Sequence, residues 1–342
     1  MAHFQGERVT IREIARRAGI SVSTVSRYLN QSGYVEQETA KRIAEAIEKT
    51  NYTPSIAARS LKTRKSQIVL LVVPDICNPF YSGIAKTVQQ LVRERGYVMA
   101  LYDSDESEQE LPSVGIAKQM YAAGILMGSI DIKPEVIKAL VRSNIPVVGL
   151  NAYQAYPFDT VHVQGSDGSY LATQHLIQLG HRHIGFAGGT PGSMIANSRR
   201  DGYRRAMKEA NLDMDPQDII EKGFSQNDGY EMGQYFMKLN TLPTAICCAN
   251  DQIALGLLSV LHEQGIPIPE RVSVTGMDDI PYAQISNPSL TSVTNDPVAF
   301  SYEGVKMLFD RINGNEPRTP RNVAIPHQLV VRNSTGAPPA QP

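Results

Sequence analysis

Between Thr10 and Asn30 the sequence sets two short helices around a single glycine, and few folds accept that spacing. Thr10-Ile11-Arg12-Glu13 reads as a capping box, with the Thr10 hydroxyl on the Glu13 amide and the Glu13 side chain reaching back. Ile11, Ile14, Ala15 and Ala18 then recur at helical spacing on one face. Gly19 supplies a left-handed C-cap, and Ser21 is an N-cap for a second helix from Val22 to Leu29. A third helix, about Glu36 to Lys49, carries Ala40, Ile43, Ala44 and Ile47 inward. This is the pattern of an all-α helix-turn-helix domain of the lambda-repressor type, placed at residues 8–53.

The second helix is polar where it would meet a groove: Ser23, Thr24, Ser26 and Arg27, with Val25 turned back onto the first helix. Small hydroxyl side chains at a helix start suit phosphates and base edges, and Arg27 can reach a guanine or a phosphate. A three-helix bundle that binds protein is the alternative, but units of this kind mostly dock in the major groove. Charge agrees. Residues 1–65 hold twelve Lys+Arg against six Asp+Glu, and the remainder holds 21 against 28. A basic head on an acidic body predicts that the head meets a polyanion.

The rest of the chain reads differently. From Ser66 onward, short apolar runs alternate with helical stretches of 10–15 residues, which indicates parallel sheets in doubly wound domains. Strands are predicted at 68–74, 98–102, 124–127, 146–150, 160–163, 183–187, 245–249 and 272–276. Some 270 residues are too many for one such sheet and comfortable for two. Ligands of such sheets sit beyond the strand C-termini, so residues just after strands become candidates. Phe80 and Tyr81 follow the first strand, where an aromatic can stack on a sugar or base; Asn151 follows the 146–150 run. Arg199 opens a helix, and its fork can clamp hydroxyls or a carboxylate. Phe224 ends another connection. Asp251 follows Cys247-Cys248-Ala249 and also reads as a helix cap. The structural alternatives stand beside these: Asp251 as cap alone, Phe224 as core, Arg199 as a surface ion pair.

Several classes of function find no support. Three cysteines, Cys77, Cys247 and Cys248, make no disulfide framework. No dinucleotide or phosphate-loop motif follows a strand. His181 and His183 lack a third metal ligand nearby, and Asp278-Asp279, read as an acidic loop beside a hinge, has no nucleophile or base. The expectation is therefore no enzyme, no cofactor and no metal. Met1 to Arg8 has no apolar leader and no run approaches the ~20 residues of a membrane span, so a cytoplasmic, nucleoid-associated protein without a membrane partner is expected.

The stretch Val9-Thr-Ile-Arg-Glu-Ile-Ala-Arg-Arg-Ala-Gly-Ile-Ser-Val-Ser-Thr-Val-Ser-Arg-Tyr-Leu-Asn30 resembles the opening of the LacI/GalR family of bacterial transcription regulators. So do Asn51-Tyr52-Thr53-Pro54 and Ala57-Ala-Arg-Ser-Leu-Lys-Thr63, and the likeness runs from about Val9 to Arg332. The resemblance implies operator contacts from Thr10, Ser21, Val22, Ser23, Thr24, Ser26, Arg27, Asn30 and Tyr52, and from Ala58 and Leu61 in a hinge helix at 54–65. Nine residues from Pro54 to Lys62 cannot hold a helix alone in water. The segment would order only on DNA beside its twin, with Leu61 wedged into the minor groove; from the residues alone, a plain linker with Leu61 packed on the body fits equally well. The resemblance further implies a type I periplasmic-binding-protein-like core at 66–332, one lobe being about 66–163 with 295–324 and the other about 164–294 with 325–332. Phe80, Tyr81, Asn151, Arg199, Phe224 and Asp251 would then line an effector cleft. The implied partners are double-stranded operator DNA, a second copy of the chain and a small sugar, sugar phosphate or sugar derivative. A solute-binding protein and a catabolite regulator with a protein corepressor remain the alternatives. Asn151 stands where some sugar-binding relatives carry an acid, and Cys77 replaces a commoner serine, which leaves the effector open. Residues 333–342, Gly/Pro-rich and without heptads, are expected to form a flexible tail.

Overall fold

A computed structural model describes residues 9–30, 32–50, 52, 66–104, 111–128, 132–150, 156–163, 165–315 and 319–340. The chain divides after Ser66 into two units. Ala58, Leu61 and Asn151, like the side chain of Asn30, lie outside the described residues.

The first unit is three helices: α1 (Ile11–Ala18), α2 (Val22–Asn30) and α3 (Gln37–Thr50). Thr10 caps α1 by accepting from the Glu13 amide at 3.4 Å, and Gly19 ends it with φ +65°. The other half of the expected capping box is absent. The Glu13 carboxylate accepts from Arg16 at 2.7 and 2.9 Å and from Arg17 at 2.7 Å, because charged donors three and four residues on compete better than one amide. Those two arginines pull the Glu13 carboxyl down to about 2. Ile14, Ala15, Ala18, Val25, Ile43 and Ala46 form the core. On α3 the inward alanine is Ala46, not Ala44, which is exposed. With Ile43 fully buried, the next position on its face is three residues on, and the small alanines carry too little hydrophobic signal to set the phase.

The second unit holds two six-stranded sheets. Their elements run β1 (Ile68–Val73), α4 (Pro79–Glu94), β2 (Val98–Asp103), α5 (Leu111–Gln119), β3 (Gly124–Met127), α6 (Pro134–Ser143), β4 (Val147–Leu150), β5 (Asp159–His162), α7 (Gly165–Gln178), β6 (Ile184–Gly188), α8 (Met194–Glu209) and β7 (Ile219–Glu221). There follow α9 (Gln226–Phe236), β8 (Ala245–Cys248), α10 (Asp251–Glu263), β9 (Ser273–Asp278), α11 (Pro281–Ile285), β10 (Thr291–Thr294), α12 (Pro297–Ile312), β11 (Asn322–Ala324) and β12 (Leu329–Val330). The first sheet runs β11-β5-β4-β3-β1-β2 and the second β12-β10-β9-β8-β6-β7. All pairings are parallel except β10 with β12. The chain thus passes between the sheets after β5, after β10 and after β11.

The inner strands of each sheet are covered on both faces, which is why runs such as those of β1, β3, β4 and β8 read as apolar throughout. On β1, Val69, Leu71 and Val73 pack with α4 and α12, while Leu70 and Val72 pack with α5 and α6. Gly83 of α4 lies against Pro297 of α12, letting those two helices meet closely.

The expected flexible tail is not what forms. Ser334 is fully buried and lies across the second sheet: its carbonyl accepts from the Val274 amide, its hydroxyl accepts from the Thr291 amide at 2.8 Å, and Gly336 exchanges bonds with Ser273. The segment repeats the sheet's own chemistry, offering backbone groups to strand amides that would otherwise be buried without partners. The buried His181 closes it. Its Nε2 reaches the Gly336 carbonyl at 2.9 Å and its Nδ1 reaches Thr244 at 2.9 Å.

Burial pushes the His181 imidazole below its ordinary value of 6.5, and His175, bonded to Thr335, is lowered for the same reason. Above about pH 6.5 both states are neutral; below it the unfolded chain takes up protons that the folded chain resists. Stability should therefore fall as pH drops from about 6.5, by at most roughly 1.4 kcal/mol per pH unit per histidine. Thermal melts of the core between pH 7.5 and 5.5 check this. The slope should flatten in His181→Asn; an unchanged slope would remove His181 from the latch.

Candidate DNA interface and effector cleft

The polar face of α2 is laid down by its cap. Ser21 Oγ accepts from the Thr24 amide at 3.2 Å and lies 2.8 Å from both Ser23 Oγ and Thr24 Oγ1. Its hydroxyl is therefore spent on starting α2. Val25 is fully buried, so the opposite side of the helix must face out. That side carries Ser23 and Arg27, four residues apart, with Val22 and Ser26 on its flank. Ser23, Val22 and Arg27 are exposed, while Thr24 and Ser26 are half-buried. No carboxylate among the described residues pairs with Arg27, whose stem lies over Gly33. Thr10 caps α1, and Tyr52 packs half-buried on the domain core. The sequence-predicted residues within the described part thus divide into an outward set (Val22, Ser23, Ser26, Arg27) and a set that shapes the domain (Thr10, Ser21, Thr24, Tyr52).

In the second unit a cleft of about 560 Å³ opens between the lobes. Pro74, Asp75, Cys77 and Asn78 enter it after β1, Asp103 at the end of β2, Gly223, Phe224, Ser225 and Asp228 after β7, and Gln252 after β8. All lie at a strand C-terminus or in the loop or first helical turn that follows it, as the topology requires. Its walls are pinned by their own backbone. Asp75 accepts from the Cys77 amide at 2.8 Å, Asn78 from Phe80 at 3.0 Å, and Ser225 with Asp228 forms a complete capping box on α9.

Of the predicted effector residues, Phe224 lines this cleft. Its ring lies over Gly189, where a Cβ would collide with it. Arg199 sits behind, its guanidinium 5.7 Å from the ring centre. Arg199 does not open its helix: Ser193 caps α8 and Arg199 lies in the second turn, 2% exposed. Phe80 and Tyr81 point into the first lobe's core instead, edge-on to each other at 5.1 Å, with Phe80 against Phe300 at 6.1 Å. Their place in the first turn of α4 turns both rings toward the sheet. Asp251 is neither the cap nor open to the cleft. Asn250 caps α10, and Asp251 is fully buried with one oxygen on the Ile280 amide and the other on Ser292.

The residues missed in the sequence are Asp278 and Asn295. Asp278 ends β9, and its Oδ1 accepts from Arg199 at 3.2 Å and from Asn295 Nδ2 at 2.7 Å. Arg199 also donates to the Ala249 carbonyl. Asn295 is 1% exposed, and its Oδ1 meets no donor among the described residues. Asp278 and Asp279 both hold left-handed backbone, at φ +104° and +51°, which costs on the order of 1–3 kcal/mol each. Burial raises the Asp278 carboxyl against the pull of Arg199, and burial, then the Asp278 charge, raises Asp251 well above the carboxylate range. The available signal was the one that selected Asp251: a carboxylate just after a strand. His181 and His183 are divided, His183 pairing with Asp218 at 2.7 Å, and among the described residues no helix is long and apolar enough to cross a membrane.

A helix-turn-helix head joined to a two-lobed, doubly wound core defines a class, the DNA-binding transcription regulators with a periplasmic-binding-protein-like domain. Residues 10–55 match the profile of the bacterial regulatory proteins of the lacI family, and residues 173–335 that of a periplasmic binding protein-like domain. The transcriptional repressor PurR of Pasteurella multocida strain Pm70 is 31% identical over 329 residues, 95% of this chain and 98% of that protein. PurR of Haemophilus influenzae strain PittEE is 30% identical with the same coverage. The chain belongs to the LacI family and is a transcriptional repressor. Among solved structures, a complex of the regulator CelR with cellobiose is 27% identical with a TM-score of 0.72, covering 96% of this chain and 100% of that one. The lac repressor dimer bound to operator and the anti-inducer ONPF shares the fold at a TM-score of 0.86 and 24% identity, covering 97% and 100%.

Proposed function

We propose that the repressor binds a pseudo-palindromic operator as a homodimer and releases or tightens it when a neutral, hydroxyl-rich small molecule of the sugar class enters the interlobe cleft. The lining of the cleft carries this reading. Asp75, Asp103 and Asp228 offer carboxylate acceptors, Asn78, Ser225 and Gln252 offer further polar groups, and Phe224 offers a flat apolar wall. Carboxylates accept from sugar hydroxyls, and an aromatic face suits the apolar face of a sugar ring. Among the described residues no lysine or arginine lines the cleft, and three aspartates repel phosphate, so a neutral sugar is favoured over a sugar phosphate. Beneath it, Arg199, Asp278 and the open acceptor of Asn295 supply the deepest polar contacts. The bound cellobiose of CelR supports the same class of ligand.

Two surfaces support the dimer. The edge strand β2 exposes Val98 and Leu101, and α11 exposes Tyr282 and Ile285, at 54% and 75%. Apolar side chains on an edge and a short helix call for a covering partner, and the two-fold pairing matches a two-fold operator. In this reading Ser23, Ser26 and Arg27 meet the major groove, and Ala58 and Leu61 meet the minor groove at the operator centre.

Calorimetry of the full chain against neutral mono- and disaccharides and their phosphates tests the ligand class. A neutral sugar should bind and should shift operator affinity by a factor of about 5–150, with the operator shifting sugar affinity by the same factor. Binding of a sugar phosphate whose neutral parent does not bind would overturn the neutral class.

A further inference from the structure

We infer that Asp251 is a positioning residue for the hinge side of the effector site, acting through the turn 278–280 without touching the cleft. The inference rests on the effector reading above and deepens it. Asp251 opens α10 and is fully buried between that helix, β9 and β10. Gly276 makes room for it, since a Cβ there would collide with Asp251 Oδ1. Asp251 Oδ2 accepts from the Ile280 amide at 2.8 Å. Its Oδ1 accepts from the Ser292 hydroxyl at 2.6 Å, and Ser292 Oγ in turn accepts from the Asp279 amide at 3.1 Å. Two successive amides of one turn therefore end on a single carboxyl group, one directly and one through a hydroxyl.

That turn is the strained one. Its left-handed residues direct Asp278 toward Arg199 and Asn295, and Asp279 toward Arg332 at 2.7 Å. Asn295 lies on the passage from β10 to α12, where the chain returns to the first lobe, and Arg332 follows β12. His327, on the third passage, bonds the Thr294 carbonyl at 2.9 Å, so two of the three passages meet beside this turn. Loosening the Asp251 carboxyl frees the turn to relax toward ordinary backbone. Asp278 then loses its aim at both the deepest cleft group and the hinge.

The test uses Ser292→Ala and Asp251→Asn in the full chain, with Val260→Ala as a core control of the same lobe. Amide exchange followed by mass spectrometry should speed up at Asp279, Ile280 and Asn295 by about tenfold or more in both variants, relative to Val260→Ala brought to the same margin below its melting temperature. Calorimetry with cellobiose as the probe should lose at least about tenfold in affinity in both variants and not in the control. If wild-type protein binds neither cellobiose nor any neutral sugar of the panel, the effector reading falls, and the exchange comparison alone decides the positioning role. Should Asp251→Asn misfold, Ser292→Ala, which cuts only the relay to Asp279, still decides. Exchange at the three amides equal to that of the control overturns the proposal.

Discussion

Arg27→Ala should sharply weaken site-specific DNA binding while leaving the cleft and the melting temperature of the core unchanged. Arg27 stands in the last turn of α2 on the same face as Ser23, exposed and with no carboxylate partner among the described residues. Little folding energy depends on it, because surface substitutions away from caps and cores usually stay within about 0.5 kcal/mol. A bidentate arginine–base contact is worth about 1–3 kcal/mol of discrimination, and the proposed dimer would make it twice. The loss is then about 2–6 kcal/mol, or roughly 30-fold to more than 10⁴-fold, against a specific-over-random advantage of typically 10³ to 10⁷. Fluorescence anisotropy at about 150 mM salt, on an operator recovered by genomic pull-down and on random duplex, measures both arms. A phosphate-only role gives a different result: affinity falls equally on both DNAs and the salt slope drops by about one for each subunit. Retention of the wild-type specificity ratio would remove Arg27 from base reading.

Most of the architecture was legible because its signals are local. Thr10, Gly19 and Ser21 announce helix ends through hydrogen bonds that span three or four residues. The run Ile68–Val73 announces a strand covered on both faces. What escaped was short or remote. β7, β11 and β12 have two or three residues each, and β10 is Thr-Ser-Val-Thr with a single apolar residue, so none shows an apolar run. The last residues look loose by composition, yet Ser334 and Gly336 are held by strand groups about sixty residues earlier in the chain. Composition reports on the segment alone, and the partner that orders it lies elsewhere.

The choice of Asp251 over Asp278 has the same origin. Both carboxylates follow strands of the second sheet, and a strand C-terminus is the right place for either. What separates them is a pairing across 79 residues with Arg199, together with a backbone conformation that no side-chain pattern encodes. Likewise Phe80 and Tyr81 follow β1 as a ligand-facing aromatic should, but a residue one position along a helix faces 100° away, and both rings turn to the core.

Arg199→Met should destabilise the core by about 3–5 kcal/mol, and Asp278→Asn added to it should restore most of that loss. The pair is 3% and 7% exposed, so truncating the guanidinium strands a carboxylate away from water. Removing both charges leaves an amide whose partner Asn295 is still in place, and a thioether that fills much of the space behind Phe224. The single variant has a second signature. Without Arg199 the already raised Asp278 carboxyl rises further, so the folded state binds a proton that the unfolded chain binds only at lower pH. Relative to wild type, Arg199→Met must then regain stability as pH falls from 7 toward 5, whereas the double variant lacks that relative trend. Urea unfolding of wild type, both single variants and the double variant at pH 7 and pH 5 completes the cycle. If the single substitution costs less than about 1 kcal/mol and gains nothing at pH 5, the pair contributes no net stability. Should both variants that lack Arg199 also bind neutral sugar as wild type does, the floor of the effector site must lie elsewhere. Restored stability in the double variant without restored sugar binding separates the two roles of Arg199, since balancing the buried charge suffices for folding while a ligand needs the fork itself.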